Sequence, residues 1–120
     1  MKMIAIDFDG TLHSYESGWQ GATVIPDPPV PGAIDFLNRL AAHPDLTAAI
    51  FSARVETHEA EKAIRRWLYR HGTDRTLARS MLITNVKPPQ ASLLIDDRGF
   101  HFRGEWPSIE FLLEFEPWNS

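Results

Sequence analysis

The sequence predicts a single α/β domain in which a doubly wound, Rossmann-like parallel sheet is flanked by helices. Short apolar runs, partly β-branched, alternate with segments in which apolar residues recur at helical spacing. Such alternation is typical of parallel strands, because each crossover between them usually runs through a helix. The length of 120 residues suits one core. Residues 1–120 are therefore expected to form one domain without a cap.

Four apolar runs are predicted to be strands. The first covers residues 3–6, ends near Asp7 and is short and apolar enough to be buried on both faces. The second, in LTAAIFSAR, ends near Ser52, and the runs SMLITN and ASLLIDD follow. Phe100 and Phe102 suggest one more strand at the edge.

Three segments have helical periodicity: residues 31–43, residues 56–71 and the run PSIEFLLEF. Gly72 supplies a stop for the second of them. Residues 13–32 are rich in Gly, Pro and Ser and show no period, which predicts a long loop or small flap. Long loops in compact domains are often functional.

Composition excludes several classes of protein. There is no cysteine, so disulfides, thiolate nucleophiles and thiolate metal sites are excluded. Hydrophobic residues make up 43% of the chain, and no apolar run approaches the roughly 18 residues that a membrane span needs. The first residues resemble neither a signal peptide nor a transit peptide. We expect a cytoplasmic protein with no membrane partner.

Carboxylates follow two of the predicted strands. Asp7 and Asp9 end the first, and Asp96 and Asp97 follow SLLI. Ligands of such sheets bind where the strands end, so these groups should converge there. Unpaired anions so close together are costly, and a hard cation resolves the cost. Mg²⁺ suits Asp7, a main-chain carbonyl near Asp9, and Asp96.

The same residues suggest phosphoryl transfer. A carboxylate can attack phosphorus and form an aspartyl phosphate, which favours Asp7 as nucleophile. Asp9 is then placed to protonate the leaving oxygen and later to deprotonate the attacking water. The Ser52 hydroxyl, the Lys87 ammonium and nearby backbone N–H groups are suitable donors to the phosphoryl oxygens.

At these positions the sequence resembles the haloacid dehalogenase superfamily of aspartate-nucleophile phosphohydrolases. DFDGT is similar to its first motif, Ser52 to the hydroxyl of the second, Lys87 to the third, and Asp96 with Asp97 to the acidic fourth. The run SLLIDDRGFHFRGEW looks like small cap-less bacterial and phage members. Two departures are the absence of a glycine before the paired aspartates and the absence of a cap insertion.

The resemblance implies a Mg²⁺-dependent phosphomonoester hydrolase that works through an aspartyl phosphate. The implied catalytic residues are Asp7, Asp9, Ser52 and Lys87, and the implied metal site contains Asp7, Asp9, Asp96 and Asp97. The implied phosphate-binding residues are Gly10, Thr11, Ser52, Ala53, Arg54 and Lys87. The partner is a phosphorylated small molecule or nucleic-acid end.

Each residue also has a structural interpretation. Ser52 is a candidate helix N-cap, and Lys87 a solvated loop lysine. Arg54 and Arg98 can bind phosphate or form ion pairs with Asp97 or Glu56. Three aromatic side chains of the loop are candidates for a substrate wall: His13, Tyr15 and Trp19. Three tryptophans are predicted to be packing residues: Trp67, Trp106 and Trp118.

Two other functions are compatible with the residues. A phosphorelay receiver domain also combines aspartates, a hydroxyl and a lysine around Mg²⁺, but its phosphoacceptor ends a middle strand, where this chain has Ser52. A non-catalytic binding module is the other alternative.

The interpretation as a binding module is based on six basic residues that lie in one 18-residue stretch, although the net charge of the chain is −4. These residues are Lys62, Arg65, Arg66, Arg70, Arg75 and Arg79. The stretch favours a nucleotide or polynucleotide phosphate. A solvated helix face and following loop, with Glu59, Glu61 and Asp74 as partners, is the alternative.

Overall fold

The computed structural model describes residues 1–96, 100–101 and 105–115, and describes 100–101 by backbone alone. Within these residues, five strands and four helices follow one another: β1 (Lys2–Asp7), α1 (Ala33–Ala42), β2 (Leu46–Phe51), α2 (His58–Arg70), α3 (Arg75–Ser80), β3 (Leu82–Thr84), β4 (Ala91–Asp96), β5 (Phe100–His101) and α4 (Ile109–Glu114). None of the described helices has the length and apolar character needed to cross a bilayer.

The strands form one parallel sheet in the order β3-β2-β1-β4-β5. The chain thus winds outward from β1 in both directions, and the predicted parallel α/β architecture is confirmed. Ile6 in the central strand pairs with Ile50 on one side and Ile95 on the other. All three side chains are fully buried, which anchors the register of the sheet because a slip of one residue would turn them to the other face.

The hydrophobic core lies on one face of this sheet. Ile4 and Ile6 share a cluster with the buried side chains of all four helices. Ala5 and Ala49, which point to the opposite face, are buried but lie outside that cluster. The strand is therefore buried as predicted, while the described helices pack on one face only.

Helix α2 forms because its sequence combines a cap with an apolar stripe. The Thr57 hydroxyl accepts a hydrogen bond from the Ala60 amide at 3.2 Å, which satisfies one of the donors left over at a helix start. Ile64, Trp67 and Leu68 then recur on the buried face. Gly72 adopts φ 108° just after the helix, a conformation that favours glycine.

Helix α3 was not predicted, because its six residues are too few for a periodic pattern. The Asp74 carboxylate caps it by accepting a hydrogen bond from the Leu77 amide at 3.3 Å. Asp74 is in turn tied to α1, since its amide donates to the Asn38 side-chain oxygen at 2.9 Å. The segment expected to be a loop after α2 is therefore a second helix packed beside it.

The connection from β3 to β4 differs from the expectation that each crossover contains a helix. Only residues 85–90 join these strands, and they must pass β2 and β1 to reach the other side of the sheet. Pro88 and Pro89 explain the missing helix, because proline removes a backbone donor and disfavours helical geometry before it. Pro88 is buried, whereas Lys87 beside it is exposed.

Candidate active site

The ends of β1 and β4 bring two carboxylates together. Ile6 pairs with Ile95, so Asp7 and Asp96 occupy the next position on two neighbouring strands. Cross-strand neighbours point to the same face and lie about 5 Å apart between backbones. The sheet therefore places Asp7 and Asp96 side by side at its carboxyl edge. One Asp7 oxygen accepts a hydrogen bond from the Phe8 amide at 2.9 Å.

A tight turn after β1 positions Asp9. The Phe8 carbonyl accepts hydrogen bonds from the amides of Thr11, Leu12 and His13 at 2.9 to 3.2 Å. This turn returns the chain on itself, so that the His13 ring lies beside the Asp9 carboxylate four residues earlier. The distance from His13 Nδ1 to Asp9 Oδ1 is 2.9 Å.

His13 is fully buried, and its two ring nitrogens have different partners. Its Nε2 accepts a hydrogen bond from the Asp27 amide at 3.2 Å. The proton of a neutral ring then lies on Nδ1, which donates to Asp9. The ring packs between the side chains of Phe8 and Trp67, with centroid distances of 5.5 and 5.6 Å. His13 is thus a support beneath Asp9 rather than part of a solvent-facing substrate wall.

Asp27 fixes the long loop against this support. Its carboxylate accepts hydrogen bonds from the Ser17 hydroxyl at 2.6 Å and the Ser17 amide at 2.8 Å, and these bonds hold the pKa of Asp27 below its ordinary value. Its carbonyl accepts a hydrogen bond from the Trp67 indole at 2.9 Å. The loop is therefore tied to α2 as well as to His13.

Arg54 is the second group that holds Asp9. Its Nε and one terminal nitrogen donate to the two Asp9 oxygens at 3.2 and 2.8 Å, which is the bidentate arrangement typical of arginine with carboxylates. The other terminal nitrogen donates to three loop carbonyls, those of Gly21, Ala22 and Val24, at 2.9 to 3.2 Å. Arg54 thereby clamps the loop to Asp9.

Trp19 covers the same guanidinium from outside. Its ring centroid lies 4.9 Å from Arg54 Cζ, within the range of a cation–π contact, and the side chain itself remains 58% exposed.

Asp97 and Glu56 were the ion-pair partners considered for Arg54 from the sequence, and the observed partner is Asp9. Asp97 and Arg98 lie outside the described residues.

Ser52 lies just beyond the end of β2 and is buried. Its amide donates to the Thr84 carbonyl at 2.9 Å, and its hydroxyl accepts a hydrogen bond from the Arg54 amide at 3.2 Å. The interpretation of Ser52 as the cap of α2 is wrong, because Thr57 performs that function. Ala53 between Ser52 and Arg54 is exposed. The strand ends thus bring Ser52 and Arg54 to the carboxyl edge with Asp9.

The backbone donors of the first motif are already engaged. The Gly10 amide donates to the His13 carbonyl at 2.8 Å, and the Thr11 amide donates to the Phe8 carbonyl at 3.2 Å. Gly10 has φ 83°, which the turn requires and which favours glycine. Phosphate binding by Gly10 and Thr11 stays a prediction, and it would need these amides to change partners. Lys87 makes no hydrogen bond or ion pair with any described residue.

The described residues contain no group of three or more histidine, aspartate or glutamate side chains placed to hold a metal ion. Asp7 and Asp96 nevertheless fit Mg²⁺ by donor chemistry, since this ion commonly takes only one or two carboxylates and fills its other positions with water and substrate phosphate. Both Asp9 oxygens accept hydrogen bonds from Arg54, and one of them also lies beside His13.

The sequence did not reveal the partnership of Asp9 with His13 and Arg54. The spacing of four residues between Asp9 and His13 was a usable signal, because a tight turn brings such residues together. The Arg54 contact joins residues 45 positions apart, so only the sheet could show it. Comparison of the chain with models of known protein families, with curated proteins and with solved structures finds no match.

Proposed function

We propose that this protein is a Mg²⁺-dependent phosphomonoester hydrolase of the haloacid dehalogenase type that works through an aspartyl phosphate. The observation that supports it most is the adjacency of Asp7 and Asp96 at the carboxyl edge, with Asp9 held two residues beyond Asp7 by His13 and Arg54. A parallel sheet offers its ligand site at this edge.

In the first step an Asp7 carboxylate oxygen attacks phosphorus, and the bond from phosphorus to the ester oxygen breaks. The leaving oxygen takes a proton from Asp9. In the second step Asp9 takes a proton from water, the water oxygen attacks phosphorus, and the bond to Asp7 breaks. Inorganic phosphate leaves, and both carboxyl groups return to their initial states.

Arg54 positions Asp9 in this proposal, because its Nε and one terminal nitrogen donate to the two Asp9 oxygens. A substrate phosphate offers the guanidinium another anion to bind, and such binding would give Arg54 its predicted phosphate contact.

Asp7 and Asp96, with the main-chain carbonyl of Asp9, are the groups that would hold Mg²⁺. The ion, when bound, offsets negative charge on the phosphoryl oxygens. The Ser52 hydroxyl is a further predicted donor to the phosphoryl oxygens, and in the structure it accepts a hydrogen bond from the Arg54 amide at 3.2 Å.

Turnover of p-nitrophenyl phosphate in the presence of Mg²⁺ tests the proposal. We expect sustained release of nitrophenol by the wild-type protein and none by the Asp7→Asn variant. Asp35→Asn is the matched control, because Asp35 is an exposed carboxylate on α1 and should leave turnover unchanged. A single stoichiometric phosphorylation by acetyl phosphate, without turnover, would instead support the receiver alternative.

A further inference from the structure

A basic groove runs between α2 and α3. It has a volume of about 210 Å³ and is lined by Arg65, Arg66, Tyr69, Arg75, Ala78 and Arg79. A second recess of about 170 Å³ lies between α2 and the loop, where Arg66 and Arg70 face Thr23 and Ile25. Arg66 borders both depressions, and we call their combined lining the arginine surface.

Most of the arginines on this surface have no acidic partner among the described residues. Arg65 pairs with Glu61 at 3.1 Å. Within the part of the chain that the structure describes, the other four arginines form no ion pair: Arg66, Arg70, Arg75 and Arg79. Asp74, expected from the sequence to be an acidic partner, caps α3 instead.

The spacing of these arginines is unfavourable for the protein alone. Arg66 and Arg70 are four residues apart on α2, and Arg75 and Arg79 are four residues apart on α3. Like charges at this spacing lie on the same helix face and destabilise it. A polyanionic ligand would remove that repulsion, which is a reason for the chain to carry the pattern despite its net charge of −4.

The side chains between the arginines indicate which polyanion fits. Tyr69 is 56% exposed, and the Arg75 guanidinium lies 5.9 Å from its ring centroid. An exposed aromatic ring among arginines is the combination that binds single-stranded nucleic acid, because bases stack on the ring while the guanidinium groups bind phosphates. The groove offers no large aliphatic side chain for insertion into a lipid bilayer.

We propose that the arginine surface binds single-stranded nucleic acid along its phosphate backbone. This surface also borders the loop that Arg54 holds against Asp9. Thr23 and Ile25 border its recess, and their neighbours Ala22 and Val24 accept hydrogen bonds from Arg54, which holds Asp9. A bound strand would therefore end near Asp9, and its terminal phosphate would be the substrate, a step that rests on the proposed function.

Fluorescence anisotropy with a labelled single strand of about 12 nucleotides tests the binding. Even at the spacing of about 3.4 Å per nucleotide that one strand has within a duplex, such a strand spans the protein, whose longest dimension is 37 Å. A probe with hydroxyl groups at both ends makes the result independent of any phosphatase activity. We expect a dissociation constant of about 10⁻⁶ to 10⁻⁴ M near physiological salt. The logarithm of affinity should fall with the logarithm of salt with a slope of about −3.

Single substitutions locate the site. Arg66→Gln and Arg79→Gln should each weaken binding several-fold and reduce the salt slope by about 0.7, the value for one phosphate contact on a single strand. Tyr69→Ala should weaken binding about tenfold without changing the slope. Arg39→Gln is the matched control, since it removes the same charge from an exposed position on α1 and should leave affinity unchanged.

Three results would overturn the proposal: no anisotropy change at any salt concentration, an equal loss of affinity in Arg39→Gln, or binding of anionic phosphatidylserine vesicles without binding of the strand. Phosphatase activity measured on p-nitrophenyl phosphate separates this failure from failure of the proposed function. Hydrolysis of the small ester without binding of the strand would support the proposed phosphatase function and refute the binding of nucleic acid.

Discussion

Replacement of Arg54 by methionine should destabilise the protein by about 3 kcal/mol, because it leaves the Asp9 carboxylate without its main partner. The Arg54 side chain is 1% exposed and that of Asp9 is 23% exposed. Removal of one partner from a buried ion pair costs about 3 to 5 kcal/mol. The residual exposure of Asp9 and its hydrogen bond with His13 place the expected cost at the lower end.

Urea unfolding at neutral pH measures this cost, and calorimetry should show a fall in Tm of about 10 °C or more for a domain of this size. The Gly21, Ala22 and Val24 carbonyls lose the same donor, so limited proteolysis within residues 14–30 should become faster. Arg39→Met is the matched control. Its pair with Asp35 is exposed on one helix face, and its loss should cost at most about 1 kcal/mol.

The double variant Arg54→Met/Asp9→Asn distinguishes the contribution of the ion pair to stability from the contribution of the Arg54 packing that is lost. Asparagine at position 9 carries no charge that needs a partner, so the double variant should be more stable than the sum of the two single losses predicts, by about 1 to 3 kcal/mol. The reasoning fails if Arg54→Met unfolds within about 1 kcal/mol of the wild type, or if the two losses simply add.

The other predictions concern the support beneath Asp9, pH and the metal ion. His13→Leu should cost about 1 to 3 kcal/mol, because it leaves the Asp27 amide without a partner and removes the hydrogen bond between His13 and Asp9, and a urea midpoint unchanged from the wild type would contradict this. Burial, followed by the charge of Arg70, lowers the pKa of His71 below 6.5. The unfolded chain therefore takes up that proton first as pH falls below 6.5, and stability declines. When the pH is lowered from above 6.5 to below it, the urea midpoint should fall less in His71→Gln than in the wild type. Phosphatase activity should be lost in EDTA, return with Mg²⁺ and not return with Ca²⁺, which prefers higher coordination and longer distances. Asp96→Ala should weaken Mg²⁺ binding in calorimetry, and unaltered affinity would remove Asp96 from the site.

Periodic elements were predictable from the sequence because their own residues determine them. The apolar run that ends at Asp7 forms β1, and the helical spacing from residues 56–71 corresponds to α2 (His58–Arg70). The prediction of Trp67 as a packing residue is also confirmed, since its side chain is 2% exposed. In each case the side chains that make the pattern are the ones that the core buries.

Features that depend on tertiary contacts were not predictable in this way. The β3–β4 crossover is short because the chain crosses the sheet directly, and no local pattern specifies that path. The positions of Asp7, Asp9 and Ser52 at strand ends followed from the predicted strands. The partners of Asp9 did not, because Arg54 reaches it only after the loop has folded back over the sheet.

Trapping of a phosphoryl group on Asp7 tests the central claim most directly. The Asp9→Asn variant suits this experiment, since loss of the base slows hydrolysis of the phosphoenzyme, typically by 10²- to about 10⁴-fold. After incubation with Mg²⁺ and p-nitrophenyl phosphate and an acid quench, mass spectrometry should find a phosphoryl group on the peptide that contains Asp7. Hydroxylamine should remove it, and the Asp7→Asn variant should not form it. Turnover by the wild-type protein with no adduct at Asp7, or with an adduct on another residue, would contradict the account.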